Sequence, residues 1–128
     1  DLPVLGVVPW RIKKVFSNLI SNSVKFARAG VDPEVWVSAS KIPSGEKVNS
    51  ILKDEPYWEI NFTDNGIGFD NKYKDIVFDV FQKIHNSPNC GAGVGLAIVK
   101  KVMHNHDGEI FAESEPGEGT CFRMYFPQ

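Results

Sequence analysis

The stretch YWEINFTDNGIG, Tyr57 to Gly68, runs from an aromatic and β-branched segment directly into an acidic, glycine-rich turn. Such residues favour a strand, and we predict one over Tyr57 to Thr63. Asp64 would then stand at the strand end beside Gly66 and Gly68, where a backbone without Cβ atoms can approach a ligand closely. An ionised carboxylate only accepts hydrogen bonds, so Asp64 suits an exocyclic amine such as that of adenine. An ordinary Asp-Asn-Gly turn would explain the same residues.

A helix is predicted upstream of this strand, over about Pro9 to Ala27, because apolar side chains recur there at helical spacing. One side of the helix would present two amides and an ammonium group, those of Asn18, Asn22 and Lys25, within about 60° of one another. Amide oxygens can help to hold Mg²⁺, and a lysine can neutralise phosphate as a point charge. Taken alone, such a set is more often a solvated polar stripe beside an apolar face.

A third segment, GAGVG at Gly91 to Gly95, precedes a helix predicted from about Val94, which Gly108 would end as a C-cap glycine. Glycine amides and the positive end of that helix can cradle phosphates. The spacing GxGxG and the loop predicted before it argue against a dinucleotide-binding fingerprint. No Gly-Lys-Ser/Thr follows, which excludes a Walker-type P-loop.

The remaining elements follow from local composition and spacing. They are a strand over Val35 to Ser40, a hairpin connection over Pro43 to Pro56, a short helix over Ile76 to Ile84, a mobile loop over His85 to Gly91, and a hairpin of Ile110 to Glu113 with Thr120 to Phe126. The order helix, strand, strand, helix, helix, strand, strand predicts an antiparallel or mixed sheet with helices on one face.

Length and charge bound the class of protein. The 128 residues suit one domain over positions 1–128, and the formal net charge of -2 gives no electrostatic footprint for nucleic acid or an anionic membrane. Cys90 and Cys121 are too few for a disulfide framework, so a reducing, cytoplasmic compartment is expected. His85, His104 and His106 lack metal-ligand spacing, and we expect all three to be non-catalytic.

Membrane insertion of the chain itself is not expected, because no apolar run approaches the ~20 residues that span a bilayer. A membrane-anchored parent protein is compatible with this. The chain starts without Met, and we expect it to be an excised piece of a longer protein.

Five segments together resemble the N, G1, F, G2 and G3 boxes of sensor histidine kinases, in that family's order. They are NLISNSVKF at 18–26, DNGIG at 64–68, FDVFQK at 78–83, GAGVGLAIVK at 91–100 and GEGT at 117–120. Each is weak singly, and only their ordered co-occurrence carries the resemblance. It implies the Bergerat ATP-binding fold, a two-layer α/β sandwich with a mixed, mostly antiparallel sheet and helices on one face, shared with gyrase, MutL and the heat-shock chaperone ATPases.

The same resemblance implies roles for the residues of the boxes, with ATP as the nucleotide and Mg²⁺ as the metal. Asn22 would be the main Mg²⁺ ligand, and Asn18 and Lys25 would lie near the phosphates, so these three form the expected catalytic set. The resemblance implies further ATP contacts around the base: Asp64 on the adenine amine, Thr120 in support of that contact, Phe26 beside the nucleoside, and Gly66 and Gly68 on the pocket floor. On the phosphate side of a lid it implies Gly91, Gly93 and Gly95, with Lys83 where many members have an arginine. Phe81, Val94 and Leu96 complete the expected ATP contacts.

Position 18 separates branches of the superfamily, because hydrolytic relatives and anti-sigma serine kinases typically have a glutamate there as general base. Asn18 cannot take a proton, which suits transfer to a histidine imidazole that is already a nucleophile when neutral. The resemblance implies that the chain is excised from a longer sensor kinase, and that this histidine lies on a dimerisation hairpin of the same parent. It also implies that a response regulator receiver domain is the next phosphoryl acceptor, and that the isolated ATP-binding domain is a monomer. Ser23, which replaces the usual alanine after the Mg²⁺ asparagine, departs from the family pattern.

Two alternative functions stay open at this point. One is a regulatory module that binds ATP without transferring phosphate. The other is an anti-sigma-type kinase that phosphorylates a serine of a partner.

Overall fold

The computed structural model describes residues 6–43, 55–79 and 95–128. Its helices and strands follow one another as α1 (Pro9–Lys25), β1 (Val35–Ile42), β2 (Tyr57–Asp64), α2 (Gly95–Asn105), β3 (Glu109–Glu115) and β4 (Gly119–Pro127). Two 3₁₀ turns, Asn71–Tyr73 and Ile76–Phe78, lie between β2 and α2. In the described ranges no helix combines the length and apolar character needed to cross a membrane.

The four strands form one sheet in the order β1-β2-β4-β3, and each of its three pairings is antiparallel. The expected two-layer α/β sandwich is confirmed. A mixed sheet would also contain a parallel pair, and none occurs among the strands of the described ranges. The predicted hairpins are present as well, since Ile42 pairs with Tyr57 across the first and Glu115 with Gly119 across the second.

The core lies between the sheet and the two helices, because alternate residues of β2 and β4 point toward α1 and α2. Phe62 and Met124 on the strands pack in one buried cluster with Leu19 of α1 and Met103 of α2. α1 buries a narrow stripe of Val15, Leu19 and Ser23. The polar faces of α1 are thereby fixed relative to the ends of the strands.

The segment after β2 differs from its prediction. Residues 76–84 were expected to form one helix, but the described residues 76–79 form a 3₁₀ turn over Ile76–Phe78, and Asp79 is extended with φ -76° and ψ 144°. The prediction is therefore wrong over its first residues, and positions 80–84 lie outside the described ranges, as does the loop predicted over 85–91. Val77 and Phe78 are buried, so packing of two bulky side chains overrides a weak helical preference.

The end of α2 also corrects a prediction. Asp107, not a glycine, takes the left-handed conformation that ends the helix, with φ 57°. Gly108 follows it and donates its N–H to the carbonyl oxygen of Met103 at 2.9 Å, the outer hydrogen bond of a Schellman motif. Gly108 is required for another reason: a Cβ there would lie 2.4 Å from the Tyr125 carbonyl oxygen.

His106 joins the two helices. Its Nε2 accepts a hydrogen bond from the N–H of Val8 at 3.0 Å, and its Nδ1 lies 2.8 Å from the carbonyl oxygen of Val102. A carbonyl only accepts, so these two bonds assign the proton to Nδ1 of a neutral ring. The N-cap residue of α1 has no side-chain cap, and this imidazole ties it to the last turn of α2.

The opposite face of the sheet carries a buried phenol. Tyr125 lies directly across from Glu59 in the β2–β4 pairing and donates its hydroxyl to Glu59 Oε2 at 2.8 Å. Burial, followed by this hydrogen bond, raises the pKa of Tyr125. This group is on the far side of the sheet from the helices.

Candidate functional site

The carboxylate of Asp64 is the centre of the site, at the end of β2 and only 8% exposed. Its Oδ1 accepts the backbone N–H groups of Gly66 at 3.0 Å and Thr120 at 3.1 Å. Its Oδ2 lies 3.1 Å from the hydroxyl of Ser23 on α1. A carboxylate has about four acceptor positions, so three donors leave capacity for one more.

Three glycines clamp the turn that follows Asp64. A Cβ on Gly66 would lie 2.7 Å from the Phe26 carbonyl oxygen, and one on Gly68 would lie 2.2 Å from that of Glu115. On the facing hairpin, a Cβ on Gly119 would lie 2.1 Å from the carbonyl oxygen of Asp64. Gly68 and Gly119 also have φ values of +67° and +97°, which L side chains rarely adopt. The turn is therefore wedged between the end of α1 and the β3–β4 hairpin.

Two polar side chains hold the outside of this turn: Arg28, which the sequence analysis missed, and Asn65, to which it gave no role of its own. Arg28 donates from Nε to the Asn65 carbonyl oxygen at 2.8 Å and from Nη1 to that of Gly117 at 3.2 Å. The Asn65 amide accepts the N–H of Glu34 at 2.8 Å and donates to the carbonyl oxygen of Asp32 at 3.0 Å. No pattern marks Arg28, and Asn65 belongs to the DNGIG segment, where the turn alone accounted for it.

Thr120 acts on Asp64 through its backbone. Its hydroxyl lies 2.8 Å from the hydroxyl of Ser114, a residue that the sequence analysis did not single out. Ser114 in turn donates to the Gly119 carbonyl oxygen at 2.8 Å and accepts the N–H of Phe69 at 2.9 Å. This buried hydroxyl pair fixes the start of β4, and with it the Thr120 amide that faces the carboxylate.

The amide face of α1 leads from Asp64 to the start of α2. Asn18 donates from Nδ2 to the carbonyl oxygen of Gly95, the first residue of α2, at 3.3 Å. Asn22 is half-buried one turn further along the same side, and the exposed Lys25 ends the helix. The predicted polar set thus runs along one face of α1, from Asn18 at the positive N-terminal end of the 11-residue helix α2 to Lys25, two residues beyond the Ser23 contact with the carboxylate.

The remaining expected contacts divide into two groups. Phe26 is the C-cap residue of α1, and its carbonyl oxygen accepts the N–H of Ile67 at 2.8 Å. Leu96 is partly buried against the core. Five others lie outside the described residues, and their roles stay predictions: Phe81, Lys83, Gly91, Gly93 and Val94.

A second cleft, of about 680 Å³, lies on the hairpin side of the sheet end. Among the described residues that line it are four acidic ones, Asp70, Glu113, Glu115 and Glu118, and one basic one, Lys74. This negative lining would repel phosphate groups. The basic and amide side chains of α1 make the Asp64 side the better anion site.

Comparison with known proteins adds the family. Residues 8–128 match the family described as histidine kinase-, DNA gyrase B-, and HSP90-like ATPase. Cyanobacterial phytochrome A of Nostoc sp. is 35% identical over 127 residues, 98% of this chain and 15% of that protein. The methanogenesis regulatory histidine kinase FilI of Methanothrix harundinacea is 36% identical over 125 residues, 98% of this chain and 13% of that protein. The chain thus spans at most 15% of these relatives' length.

Solved structures show the same fold. The mycobacterial sensor histidine kinase MprB superposes with a TM-score of 0.74 over 96% of this chain and 76% of that one, at 24% identity. Full-length ShkA in complex with AMPPNP superposes with a TM-score of 0.67 over 91% of this chain and 21% of that one, at 27% identity. The match over residues 8–128 shows that the chain belongs to the histidine kinase-, DNA gyrase B- and HSP90-like ATPase family.

Proposed function

We propose that this domain binds Mg-ATP and transfers the γ-phosphoryl group to a histidine on the dimerisation domain of its parent sensor kinase. The observation that carries the proposal is a pair of polar contacts made at two different points along α1. Ser23 contacts the buried Asp64 carboxylate, and Asn18 contacts Gly95 at the start of α2. Five residues of helix separate them by about 7.5 Å, a span that suits a base at one end and phosphates at the other.

The Asp64 end suits adenine. Its carboxylate accepts only, and the donors around it leave one acceptor position for the exocyclic amine. Guanine presents a carbonyl oxygen at that position, which would face a carboxylate oxygen. Adenine selectivity follows from this mismatch.

The polar face of α1 suits phosphate and a divalent cation. Asn22 and Asn18 offer hard amide oxygens, the ligand type that Mg²⁺ shares with phosphates and water. In the described parts of the chain there is no cluster of three or more His, Cys, Asp or Glu side chains that could hold a metal. When bound, Mg²⁺ would neutralise charge on the β- and γ-phosphates. Lys25 and the N-terminus of α2 would add positive charge on the protein side.

The transfer step needs positioning rather than a protein base. The lone pair of a neutral acceptor imidazole would form the N–P bond while the bond from the γ-phosphorus to the bridging oxygen breaks, and ADP would leave with that electron pair. The imidazole proton would pass to solvent. Asn18, an amide, would orient and not deprotonate, because an amide takes no proton at neutral pH.

The partners that we propose follow from this chemistry. The acceptor histidine would lie on a helical hairpin of the same parent, and a receiver domain of a response regulator would take the phosphoryl group from it. The domain would work in the cytoplasm as a monomer apart from its parent's dimerisation helices.

Transfer can be tested by incubating the chain with the parent's dimerisation hairpin and γ-labelled ATP. We expect acid-labile, base-stable label on the hairpin, and none on a hairpin whose acceptor histidine is glutamine. ATP binding without any label would instead indicate a regulatory nucleotide-binding module. Acid-stable label on serine would indicate a serine kinase.

A further inference from the structure

Ser23 is a polar residue in a position that the helix otherwise fills with apolar side chains. It is 3% exposed and belongs to the buried stripe of α1 with Val15 and Leu19. Its hydroxyl oxygen lies 3.0 Å from the Leu19 carbonyl oxygen and 3.1 Å from Asp64 Oδ2. A buried hydroxyl without a partner would cost free energy, so this placement has to be matched by hydrogen bonds.

The single hydroxyl proton can serve only one of these two acceptors. A bond back to the carbonyl four residues earlier is common for serine in helices and adds little stability. A bond to an ionised carboxylate is charge-assisted and about twice as strong. Donation to Asp64 Oδ2 is therefore the favoured arrangement, across 41 residues of sequence.

The three donors around Asp64 have different effects. The amides of Gly66 and Thr120 both bond to Oδ1, and because the two oxygens turn together about the broad last torsion, these bonds restrain it from one side of the carboxylate. The Ser23 hydroxyl fixes the second oxygen. With both oxygens held, the one free acceptor position on Oδ2 has a fixed direction.

We propose that Ser23 is a positioning residue that aims Asp64 Oδ2 at the exocyclic amine of adenine and so sharpens selection of ATP over other purine nucleotides. The inference rests on the proposed contact between Asp64 and that amine. Ser23 itself need not touch the nucleotide. Its effect passes through the carboxylate, so it concerns the amine and no other part of the ligand.

This restriction gives a test by calorimetry with two ligands, ATP and purine riboside triphosphate, which lacks the amine. Wild type should prefer ATP. Ser23→Ala should weaken ATP binding about three- to tenfold, the effect of one hydrogen bond, and should change binding of the amine-free analogue less than twofold. Ser21→Ala, an exposed serine on the same helix, should change neither.

A second variant guards against loss of folding. Ser23→Cys keeps a small side chain with a weak donor, so its preference for ATP should lie between those of wild type and Ser23→Ala. Equal losses for both ligands, or no loss for either, would overturn the positioning role. A wild type that binds both ligands equally would instead overturn the amine contact of Asp64 itself.

Discussion

Replacing Asp64 with asparagine changes one atom of the site. In Asp64→Asn the amide oxygen can keep the two backbone N–H groups of Gly66 and Thr120, because both lie on the same oxygen. The new NH₂ group must then take the place of Oδ2. On one side the Ser23 hydroxyl can turn its proton to the Leu19 carbonyl oxygen and accept from the NH₂, but on the other side the NH₂ would face the adenine amine, a donor where an acceptor stood.

The size of the effect follows from this mismatch. Leaving a buried donor opposite another donor costs about 1 to 3 kcal/mol, which weakens ATP binding roughly 5- to 150-fold. The same NH₂ can donate to the carbonyl oxygen of guanine, so GTP affinity should fall less or rise. The preference for ATP over GTP, measured as the ratio of the two affinities, should therefore fall, and by a larger factor than ATP affinity does if GTP affinity rises.

Isothermal titration calorimetry with ATP and GTP measures both affinities. Asp75→Asn is the matched control, because Asp75 is exposed and caps no helix with its side chain. Its affinities should equal those of wild type. ATP affinity unchanged in Asp64→Asn, or reduced equally for both nucleotides, would refute the assigned contact.

Three further variants test other parts of the molecule. Asn22→Ala should lower turnover and the dependence of ATP binding on Mg²⁺, while binding of nucleotide without metal stays near wild type in titrations with EDTA. Gly119→Ala should destabilise the fold by at least ~2 kcal/mol in urea unfolding, because its Cβ would lie 2.1 Å from the Asp64 carbonyl oxygen; Gly117→Ala, with φ +80° and open space, should cost only about 1 kcal/mol. Burial raises the pKa of Tyr125, so the folded state keeps a proton that the unfolded chain releases above a pH of about 10. The free energy of unfolding should therefore fall as pH rises beyond about 10, and it should fall less steeply in Tyr125→Phe. An identical dependence on pH in wild type and variant would contradict this role of Tyr125.

Local patterns were sufficient for much of the fold. Pro9 begins α1 as predicted, and the helix ends two residues before the predicted Ala27, where Phe26 leaves the helical conformation. Asp64 stands at the end of its strand, because residue type and alternation over Tyr57 to Thr63 are themselves local signals. Element order then restricted the layers, since a hairpin must pair antiparallel.

The remaining features depend on packing across the sequence. The role of Gly108 arises from contact with Tyr125 rather than from its own turn, and the Asp107 conformation that ends α2 has no glycine to mark it. Ser23 gave a usable signal, a polar residue on an apolar arc. Its partner could not be inferred, because α1 and the end of β2 meet only in the folded chain.

The hydrogen bonds of Asp64 have a consequence for how the domain folds. The carboxylate is bonded to residues 41 positions earlier and 56 positions later in the chain. Closing such long loops is entropically costly and slow, so the contacts belong to the late, cooperative part of folding. A partly folded chain would therefore lack the proposed adenine site. Nucleotide binding would stabilise only the completed fold. The recovery of nucleotide binding during refolding would therefore report the last step of folding.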